Sequence, residues 1–174
     1  MRDTAITRLD HTLFARLGEE ARQSPRRRTH FNLHHGFDEP VQRFLNVIEP
    51  GTYIPPHRHV SPPKWEFTLV VRGRAAVLIF DETGTVLARH VLSAGGPLHG
   101  VELTAGTWHT LVAEESDTVV LEIKEGPFTG SHVEKEFATW APAEGEAGCT
   151  AMVNWLGAAR EGERFAPLGE QGPA

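Results

Sequence analysis

Apolar and polar residues alternate in short runs through the middle of the chain. Between residues 29 and 35, Phe31 and Leu33 fall on one face of an extended segment, and Asn32 and His34 fall on the other. A period of two is typical of a half-buried β-strand. The pattern predicts nine strands, at residues 29–35, 41–49, 52–59, 64–71, 74–81, 86–92, 101–103, 107–113 and 118–124. Many short strands with turn signals between them, and no long intervening helix, predict an all-β sandwich or barrel.

Helical spacing occurs only at the two ends of this β region. The first predicted helix begins at Asp10, which can cap it, and ends at Ser24; its apolar stripe is Leu13, Phe14, Leu17 and Ala21. After residue 127 the β pattern stops, and residues 128–148 are expected to be loop-rich before a short helix at 150–159. We therefore divide the chain into an N-terminal helix and linker (1–28), a barrel (29–127), and a C-terminal extension with a short helix and a tail (128–174).

Composition narrows the possible partners. A chain of 174 residues with a net charge of −6 is expected to form one domain and lacks the basic excess of nucleic-acid-binding proteins. No apolar run approaches the roughly 20 residues of a membrane-spanning helix, and the first ten residues lack the apolar core of a signal peptide. The single cysteine, Cys149, cannot form an internal disulfide. These features predict a cytoplasmic protein that binds neither nucleic acid nor membrane.

Candidate metal chemistry is concentrated between Gly51 and Gly73. His57 and His59 are separated by one residue, so on a strand both imidazoles point to the same face. Glu66 opens the next apolar run and can supply a carboxylate from a neighbouring strand. Whether Glu66 faces the histidines depends on the register set by the loop at residues 60–63. The site therefore has four protein ligands, or three if Glu66 faces outward.

A second segment repeats this arrangement of a tight turn that leads a histidine into a strand. Gly106 supplies the turn and His109 follows it three residues later. Together the two segments resemble the two motifs of the cupins. The first motif is matched by Gly51, His57, His59, Glu66 and Gly73, with a longer gap before the glutamate than is usual. The second is matched by Gly106 and His109, without the proline and asparagine found in many members.

A narrower resemblance covers roughly residues 20–130. The chain is similar to the WbuC family of cupin-fold metalloproteins in several ordered segments: Ser24-Pro25-Arg26, Phe31-Asn32-Leu33-His34, Asp38-Glu39-Pro40-Val41-Gln42-Arg43, Glu49-Pro50-Gly51-Thr52-Tyr53, Pro55-Pro56-His57-Arg58-His59, Gly106-Thr107-Trp108-His109 and Glu122-Ile123-Lys124-Glu125-Gly126-Pro127. The resemblance implies a cupin barrel (a double-stranded β-helix or jelly roll) with short terminal helices. It also implies a bound metal, an association with surface-polysaccharide synthesis and a homodimer.

The resemblance implies that the metal ligands are His57, His59, Glu66 and His109. Three imidazoles and one carboxylate suit divalent Fe, Mn, Ni, Co or Zn, and ligand chemistry does not choose among them. One carboxylate leaves a divalent ion with a net charge of about +1. An octahedral ion would keep two positions open for water, substrate or dioxygen.

Other polar residues are candidates for the wall of a pocket. His34 and Asn32 share one face of the first strand, Gln42 and Asn46 share one face of the second, and Lys64 shares the face of Glu66 if its strand is regular. Glu122 and Lys124 form either an exposed face or the rim of the barrel. Trp65 and Trp108 are expected to point away from the interior. The remaining histidines that lack partners in the sequence are expected on the surface: His11, His30, His90, His99 and His132.

Three functions fit this site. The first is a metal-dependent enzyme that acts on a small polar molecule such as a sugar derivative. The second is a non-catalytic module in which the metal orients a bound small molecule. The third is a purely structural metal that holds the barrel closed.

Overall fold

A computed structural model describes residues 6–166 of the chain. Its elements, in chain order, are α1 (His11–Gln23), β1 (Arg28–Asn32), β2 (Val41–Ile48), β3 (His57–His59), β4 (Glu66–Arg72), β5 (Arg74–Phe80), β6 (Val86–Ser93), β7 (Gly100–Leu103), β8 (Trp108–Ala113), β9 (Thr118–Glu125), α2 (Ser131–Glu134), β10 (Lys135–Phe137) and α3 (Cys149–Ala158). The end of the predicted tail, residues 167–174, lies outside the described residues. No helix in the described part is long and apolar enough to span a membrane.

The strands form two antiparallel five-stranded sheets. One sheet has the order β1-β2-β9-β4-β7, and the other has the order β10-β3-β8-β5-β6. Apart from the consecutive pairs β1–β2 and β5–β6, neighbouring strands are distant in sequence, because the chain passes repeatedly from one sheet to the other. The inner faces of the sheets enclose an apolar cluster that fills one end of the barrel: Ile48, Val70, Ala75, Val77, Leu92, Leu103, Leu111, Ala113 and Val120.

Each sheet is covered on its outer face by one terminal helix. The N-cap Asp10 accepts a hydrogen bond from the Leu13 backbone N–H at 3.0 Å, as its position in the sequence predicts. Helix α1 then buries Leu17 and Ala21 against the outward residues of β2 and β9. On the other sheet, α3 packs Met152 and Leu156 over a cluster of outward residues that includes Trp108. Trp108 therefore points away from the barrel interior, as predicted, and is covered by the C-terminal segment.

Two predicted elements differ from the structure. Residues 52–59 are predicted to form a strand broken by Pro55-Pro56, and only the part after the break, His57–His59, pairs as β3. The prolines at positions 55 and 56 have no N–H to donate to a neighbouring strand, which explains the shorter element.

The second difference lies in residues 128–148, which were expected to be loop-rich. This stretch contains α2 and the strand β10, and β10 pairs with β3 along the edge of the second sheet. The C-terminal extension therefore contributes directly to the sheet that carries His57 and His59. The prediction that the β pattern stops at residue 127 is wrong.

Candidate metal centre

Three histidines converge on the inner face of the second sheet. Residues 57 and 59 lie one residue apart on β3, and His57 is the direct cross-strand partner of His109 on β8. All three side chains are buried, and each offers one ligand atom within 4.8 Å of the others. The sheet thus brings together two segments that are some fifty residues apart in sequence. These three residues can hold a metal ion.

Local backbone contacts orient two of the imidazoles. Nδ1 of His57 lies 2.9 Å from the carbonyl oxygen of Pro55, and Nδ1 of His109 lies 2.8 Å from that of Thr107. A carbonyl can only accept, so each Nδ1 carries the proton and each Nε2 keeps its lone pair. Gly106, at φ +82°, makes the turn that leads into β8. The two Nε2 atoms therefore face the centre as available ligands.

The free ring nitrogens are the strongest sign of an absent partner. Within the described residues, Nε2 of His57 and His109 and both ring nitrogens of His59 are buried without a hydrogen-bond partner. Leaving buried polar atoms unsatisfied costs free energy, and native structures rarely do so. Burial lowers the pKa of His57 and of His109, so both imidazoles are neutral near pH 7. A neutral imidazole is the form that binds a metal ion, so the donor set fits a divalent cation.

Glu66 approaches this group from the opposite sheet. Its Oε2 lies 3.2 Å from His59 Nε2, and its Oε1 lies 3.9 Å from His109 Nε2. Burial acts to raise the pKa of Glu66, but the contacts with His59 and His109 outweigh it and hold this pKa well below the ordinary value. The carboxylate is therefore ionised and faces the histidines. The longer loop before β4 does not turn this side chain outward.

His57, His109 and Glu66 line a cavity of about 890 Å³. The structure places His34, Gln42 and Asn46 in its wall. Asn32 also lines the cavity. Lys64 is not among the described residues that line it: this side chain forms a buried ion pair with Glu134, at 2.9 Å. Strand β4 begins only at Glu66, so the alternation that relates positions 64 and 66 does not extend back to the lysine.

The three predicted wall residues differ in what they offer a ligand. Gln42 is occupied by the chain, because its Nε2 donates to the carbonyl of Glu39 at 2.9 Å and to that of Phe37 at 3.2 Å. Asn46 donates to Glu122 at 2.8 Å, but its Oδ1 is buried without a partner. Nε2 of His34 is likewise buried and unpartnered among the described residues. Asn46 and His34 therefore retain hydrogen-bonding capacity towards the cavity.

Several residues that line the cavity were missed, or placed on the wrong face, by the prediction from sequence. Lys135 was missed because it belongs to the unpredicted strand β10, and Lys124 lines the interior rather than an exposed face. Burial, followed by the charge of Lys124, lowers the pKa of Lys135. His30 and His132, expected on the surface, are accessible to solvent but line the cavity. Alternation along β9 puts Lys124 on the same face as the apolar Val120, but it does not distinguish an inward face from an exposed one.

Glu122 is a carboxyl group in the cavity wall whose pKa lies near neutral pH. Burial, assisted by the charge of Glu66, raises the pKa of Glu122 to about 7. Its Oε1 accepts the hydrogen bond from Asn46. A carboxyl in this range can hold or release a proton near physiological pH.

Comparison of the sequence with known families gives a match over part of the chain. A family model described as a domain of unknown function (DUF6016) matches residues 9–92, slightly less than half of the chain. No curated protein matches the sequence.

The fold was also compared with solved structures. The crystal structure of CapF with the inhibitor 3-isopropenyl-tropolone aligns with a TM-score of 0.54 and 18% identity, over 66% of this chain and 32% of CapF. CapF from Staphylococcus aureus, described as a capsular polysaccharide assembling protein, aligns with a TM-score of 0.52 and 19% identity, over 66% of this chain and 32% of that chain. Oxalate decarboxylase from Bacillus subtilis aligns with a TM-score of 0.45 and 20% identity, over 57% of this chain and 24% of that one. The chain has the cupin fold.

The cupin fold explains why the candidate ligands meet. In this chain the two motif segments lie on adjacent strands of one sheet, and Glu66 lies on the facing sheet. This chain spans about a third of the CapF chain, and the low identities show the fold alone. The cupin prediction from the sequence is confirmed. The narrower resemblance to the WbuC family stays a prediction.

Proposed function

We propose that this protein is a cupin metalloprotein in which His57, His59 and His109 bind a divalent metal ion, with Glu66 as the fourth ligand. The observation that carries the proposal is the convergence of three buried imidazoles, in which Nε2 of His57, Nε2 of His109 and Nδ1 of His59 have no hydrogen-bond partner among the described residues. Such a group is costly unless a cation completes it. The candidate ions are Fe, Mn, Ni, Co and Zn in their divalent states.

The cavity supports a role beyond holding the barrel closed. A volume of about 890 Å³ beside the candidate ligands is large enough for a small organic molecule. When bound, a divalent ion with open positions can polarise an oxygen of such a molecule or bind dioxygen. The chain itself contributes the unpartnered Asn46 Oδ1 and His34 Nε2, which can orient hydroxyl groups. We therefore propose that the ligand is a small polar molecule, and the resemblance to the WbuC family favours a sugar derivative.

Glu122 favours a catalytic role over binding alone. Its near-neutral pKa lets this carboxyl take or give a proton inside the cavity, and Asn46 fixes its orientation. The three-part domain division, the cytoplasmic location and the homodimer remain predictions from the sequence.

Elemental analysis of the purified protein tests the metal proposal. We expect about one metal ion per chain in the wild type and a loss of most of it in His57→Ala and His109→Ala. The matched control is His11→Ala, which removes an exposed histidine from α1 and should leave the metal content unchanged. Glu66→Gln should weaken metal binding more than the control does, because it removes the anionic ligand. Wild-type protein without metal after incubation with each candidate ion would overturn the proposal.

Chelation gives a second measurement. Metal at 100 times its dissociation constant stabilises a protein by about 2.7 kcal/mol, which corresponds to roughly 5–11 °C in Tm for a chain of this size. A chelator should lower the Tm of the wild type by this order and should leave the Tm of His109→Ala nearly unchanged. Equal shifts in the two proteins would contradict a role for His109.

A further inference from the structure

Two lysines are direct cross-strand neighbours of the candidate metal ligands. Lys135 on β10 lies opposite His59 on β3, and Lys124 on β9 lies opposite Glu66 on β4. Directly opposed residues in an antiparallel pair place their side chains on the same face, roughly 5 Å apart at Cβ. Both lysines therefore point into the barrel from either side of the candidate metal centre.

Contacts on the other face of β10 support this orientation. Glu136, the residue after Lys135, pairs with Arg58, with Oε2 and Nε 2.8 Å apart. Arg58 lies between the two inward histidines of β3 and points outward, over the ring of Trp108. Since residues alternate between faces, Lys135 must point inward, and it lines the cavity.

Neither ammonium group has an anionic partner in direct contact. Within residues 6–166 neither Nζ forms an ion pair or a hydrogen bond, although Lys124 is only 6% exposed and the charges of Glu66 and Glu122 act on Lys135 from a greater distance. The Nζ of Lys124 lies 5.1 Å from the centre of the Phe128 ring and 5.8 Å from that of the Phe44 ring. Buried cations are almost always paired, because removing an ammonium from water is expensive. The buried Lys124 is therefore an exception that needs an explanation, and the half-buried Lys135 likewise lacks a contacting partner in the described part of the chain; we call these two residues the lysine pair.

The other charged groups of the cavity are already engaged. Arg26 and Arg28 both bind Glu144, at 2.7 Å and 2.9 Å. Glu66 contacts the histidines, and Glu122 is hydrogen-bonded to the neutral Asn46, so it can offset at most one of the two lysine charges. With a divalent ion bound, the metal and Glu66 together carry a net charge of about +1, and the lysine pair adds to this positive charge. The occupant that balances these charges is an anion.

We propose that the lysine pair forms an anion-binding subsite beside the metal centre and that the ligand is a polyhydroxylated carboxylic acid of the sugar-acid class. This inference rests on the proposed metal site, which supplies the second anchor for the ligand. Two separate ammonium groups match the two oxygens of a carboxylate. The unpartnered Asn46 Oδ1 and His34 Nε2 can bind hydroxyl groups of the same molecule.

Isothermal titration calorimetry on metal-loaded protein tests the subsite. The probes are D-glucuronate, D-galacturonate and D-gluconate, each compared with its neutral counterpart: D-glucose, D-galactose and sorbitol. We expect at least one acid to bind about tenfold or more tightly than its counterpart. Lys124→Met and Lys135→Met should each weaken that acid about tenfold, the effect of losing one charge-assisted hydrogen bond, without changing the affinity for the neutral sugar.

The control is Arg72→Met, which removes one positive charge from an exposed side chain that does not line the cavity. Its affinity for the acid should equal that of the wild type. Lys124→Arg and Lys135→Arg keep the charge and should retain most of the affinity. Equal binding of acids and neutral sugars, unchanged affinity in both methionine variants, or no binding of any acid at 10 mM would each overturn the subsite. Tighter, lysine-dependent binding of D-glucose 6-phosphate than of every acid would overturn the carboxylate class.

Stability separates a ligand-binding role from a structural one. Replacing a buried, unpaired cation with an apolar side chain should leave the Tm unchanged or raise it. A fall in Tm would show that the lysines support the fold. Metal content, measured on every variant, distinguishes the two proposals: protein that holds no metal contradicts the metal site, whereas metal-loaded protein that does not prefer acids contradicts only the lysine pair.

Discussion

We expect the buried ion pair between Lys64 and Glu134 to hold the start of the C-terminal segment against the barrel. Lys64 Nζ lies 2.9 Å from Glu134 Oε1 and 2.6 Å from the carbonyl oxygen of Pro127. The side chains are 2% and 0% exposed. Glu134 also accepts a hydrogen bond from the backbone N–H of Thr129 at 2.6 Å. Lys64, two residues before β4, therefore holds both ends of the segment 127–134.

The expected cost of Lys64→Met follows from the contacts that remain. Glu134 would keep only its bonds to Thr129, and the carbonyl of Pro127 would lose its donor. Breaking a buried pair typically costs 3–5 kcal/mol, because an uncompensated charge is left behind. We expect about 3 kcal/mol, since this segment lies near the surface and can relax. For a chain of this length that corresponds to a fall in Tm of roughly 6–12 °C.

Urea denaturation of a double-mutant cycle is the assay. Lys64→Met combined with Glu134→Leu should cost clearly less than Lys64→Met alone, because neither charge remains unpaired. The matched control is Arg16→Met in the exposed Arg16–Glu20 pair of α1, which should cost less than about 0.5 kcal/mol. A Lys64→Met protein within 0.5 kcal/mol of the wild type, or strictly additive effects in the cycle, would refute the reasoning.

Three further predictions test the surrounding structure. Gly84→Ala should lower the free energy of unfolding by about 2 kcal/mol or more in urea denaturation, because φ is +88° and a Cβ would lie 2.6 Å from the Trp140 ring. Gly162→Ala, at φ +84° with open space around it, measures the cost of the backbone conformation alone, so equal costs for the two variants would contradict the clash. Met152→Ala should cost about 3 kcal/mol, since this side chain is fully buried between α3 and the sheet, and a cost below 1 kcal/mol would show that α3 is loosely attached. Asp81 accepts two backbone hydrogen bonds that, with those from threonine side chains, lower its pKa from 3.8 to about 2, so its contribution to stability is complete above about pH 4 and is lost as the pH falls towards 2. The stability difference between wild type and Asp81→Asn should therefore shrink between pH 5 and pH 3, and a constant difference would contradict it.

The core of the candidate site was readable in the sequence because each part of it is local. His57 and His59 share a face through the period of a strand, and Gly106 fixes the turn before His109. The direction of Glu66 was the open point, and the structure turns it inward. These segments are joined by strand pairing within a sheet, which the periodicity of a single sequence does not reveal. The pairing was predicted only through the resemblance to the cupins.

The missed residues share a different physical origin. Strand β10 has three residues, too few for any periodicity, and exists because β3 offers an unpaired edge to the returning chain. Lys64 was misplaced for the opposite reason: the alternation of β4 was extended two residues beyond the point where the strand begins. Lys124 lies in a regular strand, but a lysine next to a glutamate near the end of a strand is also the pattern of an exposed face. Burial alone distinguishes the two, and burial depends on the opposing sheet.

The position of Lys135 depends on the ion pair one residue before it. Glu134 is fixed by Lys64, and Lys135 begins the strand that pairs with His59. Loss of the Lys64–Glu134 ion pair should therefore displace Lys135 more than it displaces the histidines. The histidines are held by β3, β8 and their own backbone contacts. We expect Lys64→Met to keep its metal but to bind the preferred sugar acid several-fold more weakly, measured by calorimetry at a temperature at which the variant remains folded. A variant that loses metal and acid binding together would show that β10 supports the metal centre itself, and one that keeps both would show that β10 holds its place without the ion pair.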